Sequence, residues 1–203
     1  MRDPLAWSIP LCRLFGVNIR VHWLYPVGAL FLILPVALRK GPGAFPENAW
    51  IDATILTLIA FFSTVLHELG HCFGARYVDG DAQEVLVWPL GGLASVEVPH
   101  TPRANFIATA AGPAVNLLLC VAAGVLLLVV EPSSFLRPLW NPLGYVLRYD
   151  DQLVKLFTWR GAEMTLAPYS LPVLVAWVFF VNWVLLIFNL ALVGYPMGPQ
   201  HAS

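Results

Sequence analysis

His67-Glu68-Leu69-Gly70-His71 is the stretch of this chain whose residue types and spacing point most directly to chemistry. On a helix, residues four apart share one face, so both imidazoles reach a single metal ion. Zinc is the default ion for such a pair, and Glu68 would stand beside it, ready to take a proton from a water that the metal acidifies. The bland alternative is a chance cluster packed in a core or turned toward lipid headgroups. The motif lies inside a long apolar run, however, where ionisable side chains are costly and mark function by default.

The surrounding composition says what must position it. The chain has 203 residues, 59% of them hydrophobic and 11% charged, against about 25% charged in soluble domains, and its mean hydropathy is +0.73. These values describe a multi-pass integral membrane protein, with the lipid bilayer as its first partner. Formal net charge is −1 and no basic stripe is present, so nucleic acid is not an expected partner. Cys12, Cys72 and Cys120 are odd in number and widely spaced, which suggests neither a disulfide framework nor a cysteine-rich zinc site. Cys72 adjoins His71, but one step along a helix turns it off the histidine face and toward packing.

Four apolar stretches approach the roughly 20 residues that span a bilayer: Val21 to Leu38, Trp50 to Tyr77 with the histidine motif in its last third, Ala104 to Val130, and Leu171 to Leu190. The first reads as a retained span, since no small-residue cleavage site follows it. The expected fold class is therefore an all-α polytopic membrane protein of about four transmembrane helices. A short membrane-associated β-hairpin is expected between helices two and three, because Glu84 to Trp88 and Leu93 to Val98 are β-prone runs about Pro89-Leu90-Gly91-Gly92. Gly41 to Asn48 reads as a turn, and Glu131 to Ser170 as a loop outside the hydrocarbon, with Gln152 to Trp159 lying in the interface. No repeat or separate soluble domain is apparent, so 1–203 reads as one membrane-embedded unit. Arg2, Arg13, Arg20, Arg76 and Arg103 fall on one side; Arg39, Lys40, Arg137, Arg148, Lys155 and Arg160 fall on the other, a weak lean toward a cytoplasmic N-terminus.

The order of motifs resembles the site-2 protease family of intramembrane zinc metalloproteases. His67-Glu68-x-x-His71 on an apolar helix carries the resemblance. So do the Gly91-Gly92 hairpin followed by Gly112-Pro113-Ala114-Val115-Asn116, similar to the family's Gly-x-x-x-Asn element, and Asn189-Leu190 leading to Tyr195-Pro196-Met197. Leu14-Phe15-Gly16-Val17 through Val21-His22-Trp23 also looks like the family's approach to its first helix. The family places an Asp after Pro-(Leu/Met) as third zinc ligand; here Gly198-Pro199-Gln200-His201-Ala202-Ser203 follows. The expectation is that the chain as given stops short of that element or diverges from it; the alternative is a family member without activity. His201 and Glu163 are further potential ligands that no spacing supports.

The resemblance implies hydrolysis of transmembrane segments of other membrane proteins, as in regulated intramembrane proteolysis, in a bacterial cell membrane. Zn2+ would be held by His67 and His71. Glu68 would act as general base and then acid, and Asn116 as an amide donor to the oxyanion or a substrate clamp. For Asn116 the structural reading is an interhelical hydrogen bond. Gly70 and Gly74 are explained by close helix packing. The hairpin is either a re-entrant connection or an edge that pairs with an unwound substrate. His22 reads as packing or snorkelling, and His100 as loop. The competing functions are a pseudoprotease that binds transmembrane segments uncut, and a small metal transporter, for which no inverted repeat is apparent.

Overall fold

Long apolar segments have no water to satisfy their backbone and close their hydrogen bonds within a helix. The computed structural model describes residues 7–38, 49–89, 91–130, 149–150, 153–157, 163–166 and 171–193. Among them, three helices are long and apolar enough to cross a membrane: Trp50–Tyr77, Pro102–Val129 and Leu171–Ala191. They lie in α2 (Ala49–Tyr77), α3 (Pro102–Val130) and α4 (Leu171–Val193). Thr101 starts α3, its Oγ1 accepting the Ala104 N–H at 3.2 Å with Pro102 at the first helical position.

The first expected span is shorter than Val21 to Leu38. α1 (Leu24–Leu38) has 15 residues, about 22 Å against a hydrocarbon thickness of about 30 Å. Val21 and His22 instead end a strand, and His22 Nδ1 accepts the Leu24 N–H at 3.2 Å where the helix begins.

The all-α expectation is corrected here: the fold is mostly helical but holds a four-stranded sheet. β1 (Ser8–Leu14), β2 (Val17–His22), β3 (Asp81–Trp88) and β4 (Gly91–Glu97) lie in that order. β1–β2 and β3–β4 are antiparallel, while β2 and β3 run parallel. The segment before α1 forms strands because Val17-Asn18-Ile19-Arg20-Val21-His22 alternates apolar and polar residues, the period of a half-buried strand. Val17 and Ile19 join Val85 and Val87 against Val65, Leu69 and Cys72 of α2. On the opposite face Arg20 donates through Nε to Ser8 Oγ at 2.8 Å and pairs with Glu84 at 3.7 Å. A smaller antiparallel sheet joins β5 (Tyr149–Asp150), β6 (Leu153–Phe157) and β7 (Glu163–Leu166), so the expected interfacial segment Gln152 to Trp159 contains a strand. The Gly41 to Asn48 turn and most of the Glu131 to Ser170 connection lie outside the described residues.

Packing sets the levels of these elements. Tyr25, near the start of α1, stacks edge-on against Phe61 and donates its hydroxyl to Thr57 O at 3.2 Å. α1 therefore begins at about the midpoint of α2, and the sheet lies along the half of α2 that carries the histidines. α4 packs Val173 and Trp177 on Ile55, Leu56 and Ile59 of α2, and Val175 and Phe179 on Cys120, Ala123 and Leu127 of α3. Asn182, fully buried on α4, donates from Nδ2 to Ser63 Oγ of α2 at 3.0 Å.

The closest helix contact joins α2 to α3. A Cβ on Gly70 would stand 2.7 Å from Ala111 O and 2.8 Å from Val115 Cγ2; one on Gly74 would stand 2.6 Å from Ala111 Cβ. The obstacles at Gly70 and Gly74 include backbone atoms, which cannot swing aside. Gly74→Leu is expected to destabilise the fold by roughly 3 kcal/mol or more, read as a lowered unfolding midpoint in detergent. Leu118→Ala, on an exposed position of α3, is expected to shift stability by less than about 0.5 kcal/mol.

Candidate metal centre

His67, Gly70, His71 and Gly74 recur at helical spacing and form one stripe of α2, the stripe that meets α3. The small residues thus do more than permit packing. By letting α3 approach, they bring the Ala108 carbonyl within 2.8 Å of His71 Nδ1. A carbonyl only accepts, so Nδ1 carries the proton and neutral His71 presents its lone pair at Nε2. That nitrogen faces His67 Nε2 at 3.1 Å. Two ligands of one tetrahedral zinc at ordinary Zn–N lengths stand about 3.3 Å apart. The pair therefore fits a shared metal ion, and the carbonyl behind His71 is the kind of outer partner that fixes a ligating imidazole.

Gly112 of α3 completes the cradle. A Cβ there would fall on the His71 ring, at Nε2, Cε1 and Cδ2. Asn116, one turn further along α3, is fully buried beside His67. Neither its Oδ1 nor its Nδ2 has a hydrogen-bond partner among the described residues, and His67 Nδ1 is also buried without one. Asn116 faces the His67 ring, a placement that suits both an interhelical tie and a contact to something bound there.

Glu68 lies on the neighbouring face, toward the sheet. Its side chain is buried beneath β4, where a Cβ on Gly92 would coincide with the Glu68 Cγ and carboxyl atoms. Gly92 is therefore explained by close approach: only a residue without a side chain lets the strand pass over this carboxylate.

The structure thus brings His67, His71 and Asn116 together from α2 and α3, with Glu68 on the neighbouring face of α2 beneath β4. Cys72 packs in the α2–sheet core, as expected of a buried thiol. His22 caps α1, and His100 sits in the bend before α3, apart from the cluster. Asn189 donates to Leu185 O at 2.7 Å within α4. Glu163 falls in β7, while Tyr195, Pro196, Met197 and His201 lie outside the described residues. Among the described residues no group of three or more His, Cys, Asp or Glu forms a metal cluster. Asn182 and Ser63, which tie α4 to the histidine helix, were missed in the sequence; a lone Asn within an apolar span was the available signal.

Comparison with known proteins gives the following. The family model of Peptidase family M50 matches residues 54–193. Zinc metalloprotease MJ0392 of Methanocaldococcus jannaschii is 30% identical over 153 residues, covering 75% of this chain and 40% of the relative. The Synechocystis sp. protein sll0528 is 35% identical over 115 residues, covering 55% of this chain and 30% of the relative. This chain thus spans less than half the length of either relative. Among solved structures, a site-2 protease from Methanocaldococcus jannaschii shares the fold with a TM-score of 0.53 at 23% identity, over 91% of this chain and 64% of that one.

The two glycines over the cluster separate its parts. Gly112→Ala is expected to lower zinc affinity at least roughly tenfold by displacing His71, measured by chelator competition on purified protein. Gly92→Ala, which presses on Glu68, is expected to keep wild-type zinc binding. Equal binding by both variants would contradict this assignment of the glycines.

Proposed function

The chain belongs to peptidase family M50, and from that premise we propose that it is an intramembrane zinc endopeptidase acting on transmembrane segments of other proteins. The observation that carries the reading is the convergence of His67 and His71 Nε2 at 3.1 Å, with Glu68 buried one position along the same helix.

His67 and His71 would hold the zinc, which when bound lowers the pKa of water toward about 7 and favours charge on a carbonyl oxygen. The Ala108 carbonyl keeps the His71 proton on Nδ1 and so keeps Nε2 free to ligate. Glu68 accepts the proton of the attacking water and returns it to the leaving amine. The roof of β4 and the apolar contacts of α2 restrict bulk water around its carboxylate, so the proton it holds goes to the substrate. Asn116, fully buried beside His67, donates to the scissile carbonyl as charge develops there.

A helical substrate must become extended before its carbonyls are open to attack, and the sheet favours one edge for holding it. β1 is blunted by Pro10 and a register shift between Pro10 and Cys12. β4 has no proline, passes directly over Glu68, and has no outer neighbour among the described residues. We assign β4 as the strand that pairs with the unwound segment. Deeper along α2, an apolar cavity of about 520 Å³ lies between α1, α2 and α4, lined by Tyr25, Gly28, Leu32, Leu56, Ala60 and Phe180. It suits apolar side chains of the part still helical.

The test uses zinc-loaded protein in liposomes with a model transmembrane substrate. Glu68→Gln is expected to retain zinc and to cut at least about 10²-fold more slowly, whereas His67→Ala loses the metal and the activity together. A folded, zinc-loaded wild type that leaves a panel of such substrates as intact as Glu68→Gln does would sink the endopeptidase reading.

A further inference from the structure

Apolar packing holds the sheet against α2, and such contacts are non-directional; at the site itself the directional contact is a hydrogen bond between Glu68 and the Ala94 backbone of β4. Arg76, in the last turn of α2, adds directional contacts away from the site. Its Nη1 donates to Phe15 O at 2.6 Å and its Nη2 to Ala82 O at 2.7 Å. The two acceptors belong to different halves of the sheet. Phe15 lies in the β1–β2 turn, where Phe15 and Gly16 have φ of 50° and 81°; Ala82 lies at the start of β3. β2 and β3 pair in parallel and have no turn of their own to set their offset, so one guanidinium ties both halves to the end of the histidine helix.

The geometry continues to the site. From Ala82, across a register shift before Glu84, the β3–β4 pairing runs through Val85↔Ala94 to Val87↔Gly92, and Gly92 is the residue that passes over Glu68. The α2–β3 turn is also hydrogen-bonded, with Gly80 N–H donating to Ala75 O at 2.9 Å and Asp79 in the left-handed region at φ 61°. We infer that Arg76 is a positioning residue: its two-pronged contact with Phe15 O and Ala82 O sets where β4 lies above Glu68. For catalysis this rests on the proposed role of Glu68; as a statement about the sheet it does not.

The planar fork of arginine reaches two carbonyls in fixed directions, whereas lysine offers a point charge on a flexible stem. Arg76→Lys therefore keeps a cation at the negative end of α2 and removes the fork, and Arg76→Gln removes both. The experiment compares wild type and both variants, zinc-loaded in liposomes, by amide hydrogen exchange of residues 81–97 and by steady-state cleavage of a model transmembrane substrate. Both variants are expected to bind zinc as wild type does and to exchange faster in 81–97 with α3 unchanged. Their kcat is expected to fall by roughly tenfold or more at little-changed KM, as a misplaced reactant requires, with an unmoved pH profile. Unchanged exchange in 81–97 overturns the inference, as does wild-type exchange and kcat in Arg76→Lys, or faster exchange with unaltered kcat. Should Arg76→Gln not purify in folded form, Arg76→Lys alone carries these outcomes. A wild type that cleaves nothing defeats the endopeptidase reading, while the exchange comparison still decides whether Arg76 holds the hairpin.

Discussion

Backbone-to-backbone proximity between α2 and α3 is the constraint on which the remaining geometry depends. Helices in lipid gain little from burying apolar surface against each other and associate through close packing and polar contacts. Gly70 and Gly74 on one side, with Ala108, Ala111 and Gly112 on the other, allow that approach. At a larger separation the Ala108 carbonyl would not reach His71, the tautomer would not be set, and Asn116 would not lie beside His67. The histidine stripe and the packing stripe are the same stripe, so a defect in one is a defect in the other.

α2 is therefore packed on all but one face along its second half, the remaining face presenting Leu66, Phe73 and Tyr77 outward. One side carries the histidines toward α3, and a second packs Val65, Leu69 and Cys72 on the sheet. Further back, Ser63 meets Asn182 of α4. Glu68 falls where the α3 and sheet faces meet, which explains how a carboxylate comes to be buried between a helix pair and a strand. Its roof is Gly92, so the β3–β4 hairpin is part of the site and not merely the connection between two helices.

Legibility in the sequence followed the strength of local pattern. The long apolar runs of α2, α3 and α4 were plain because about 20 apolar residues have few alternative fates, and the hairpin showed as two β-prone runs about Gly91-Gly92. Grouping His67, Glu68 and His71 needed only helical period; adding Asn116 needed the order of motifs along the chain. The β1–β2 pair was hidden because Val21 and His22 adjoin an apolar helix, and hydropathy windows merged the two despite the alternation from Val17. The parallel pairing of β2 with β3 joins residues more than sixty positions apart, which no local period reports. The coupling of Arg76 to Phe15 and Ala82 was equally invisible, because it depends on where the sheet lands.

The start of α1 at about the midpoint of α2 means that the two leaflets of a bilayer seated on α2, α3 and α4 would meet different surfaces. One would also meet the four-stranded sheet, whose outer surface carries the Arg20–Glu84 pair and whose β1 edge has no outer neighbour among the described residues. Hydrocarbon cannot solvate those groups, so headgroups and water must be drawn inward along that flank. A monolayer fitted to that flank and to the 15 residues of α1 would have to thin locally. Acyl-chain length and lateral tension in that single leaflet thereby become physical variables of the protein, bearing on how far water travels to reach Glu68.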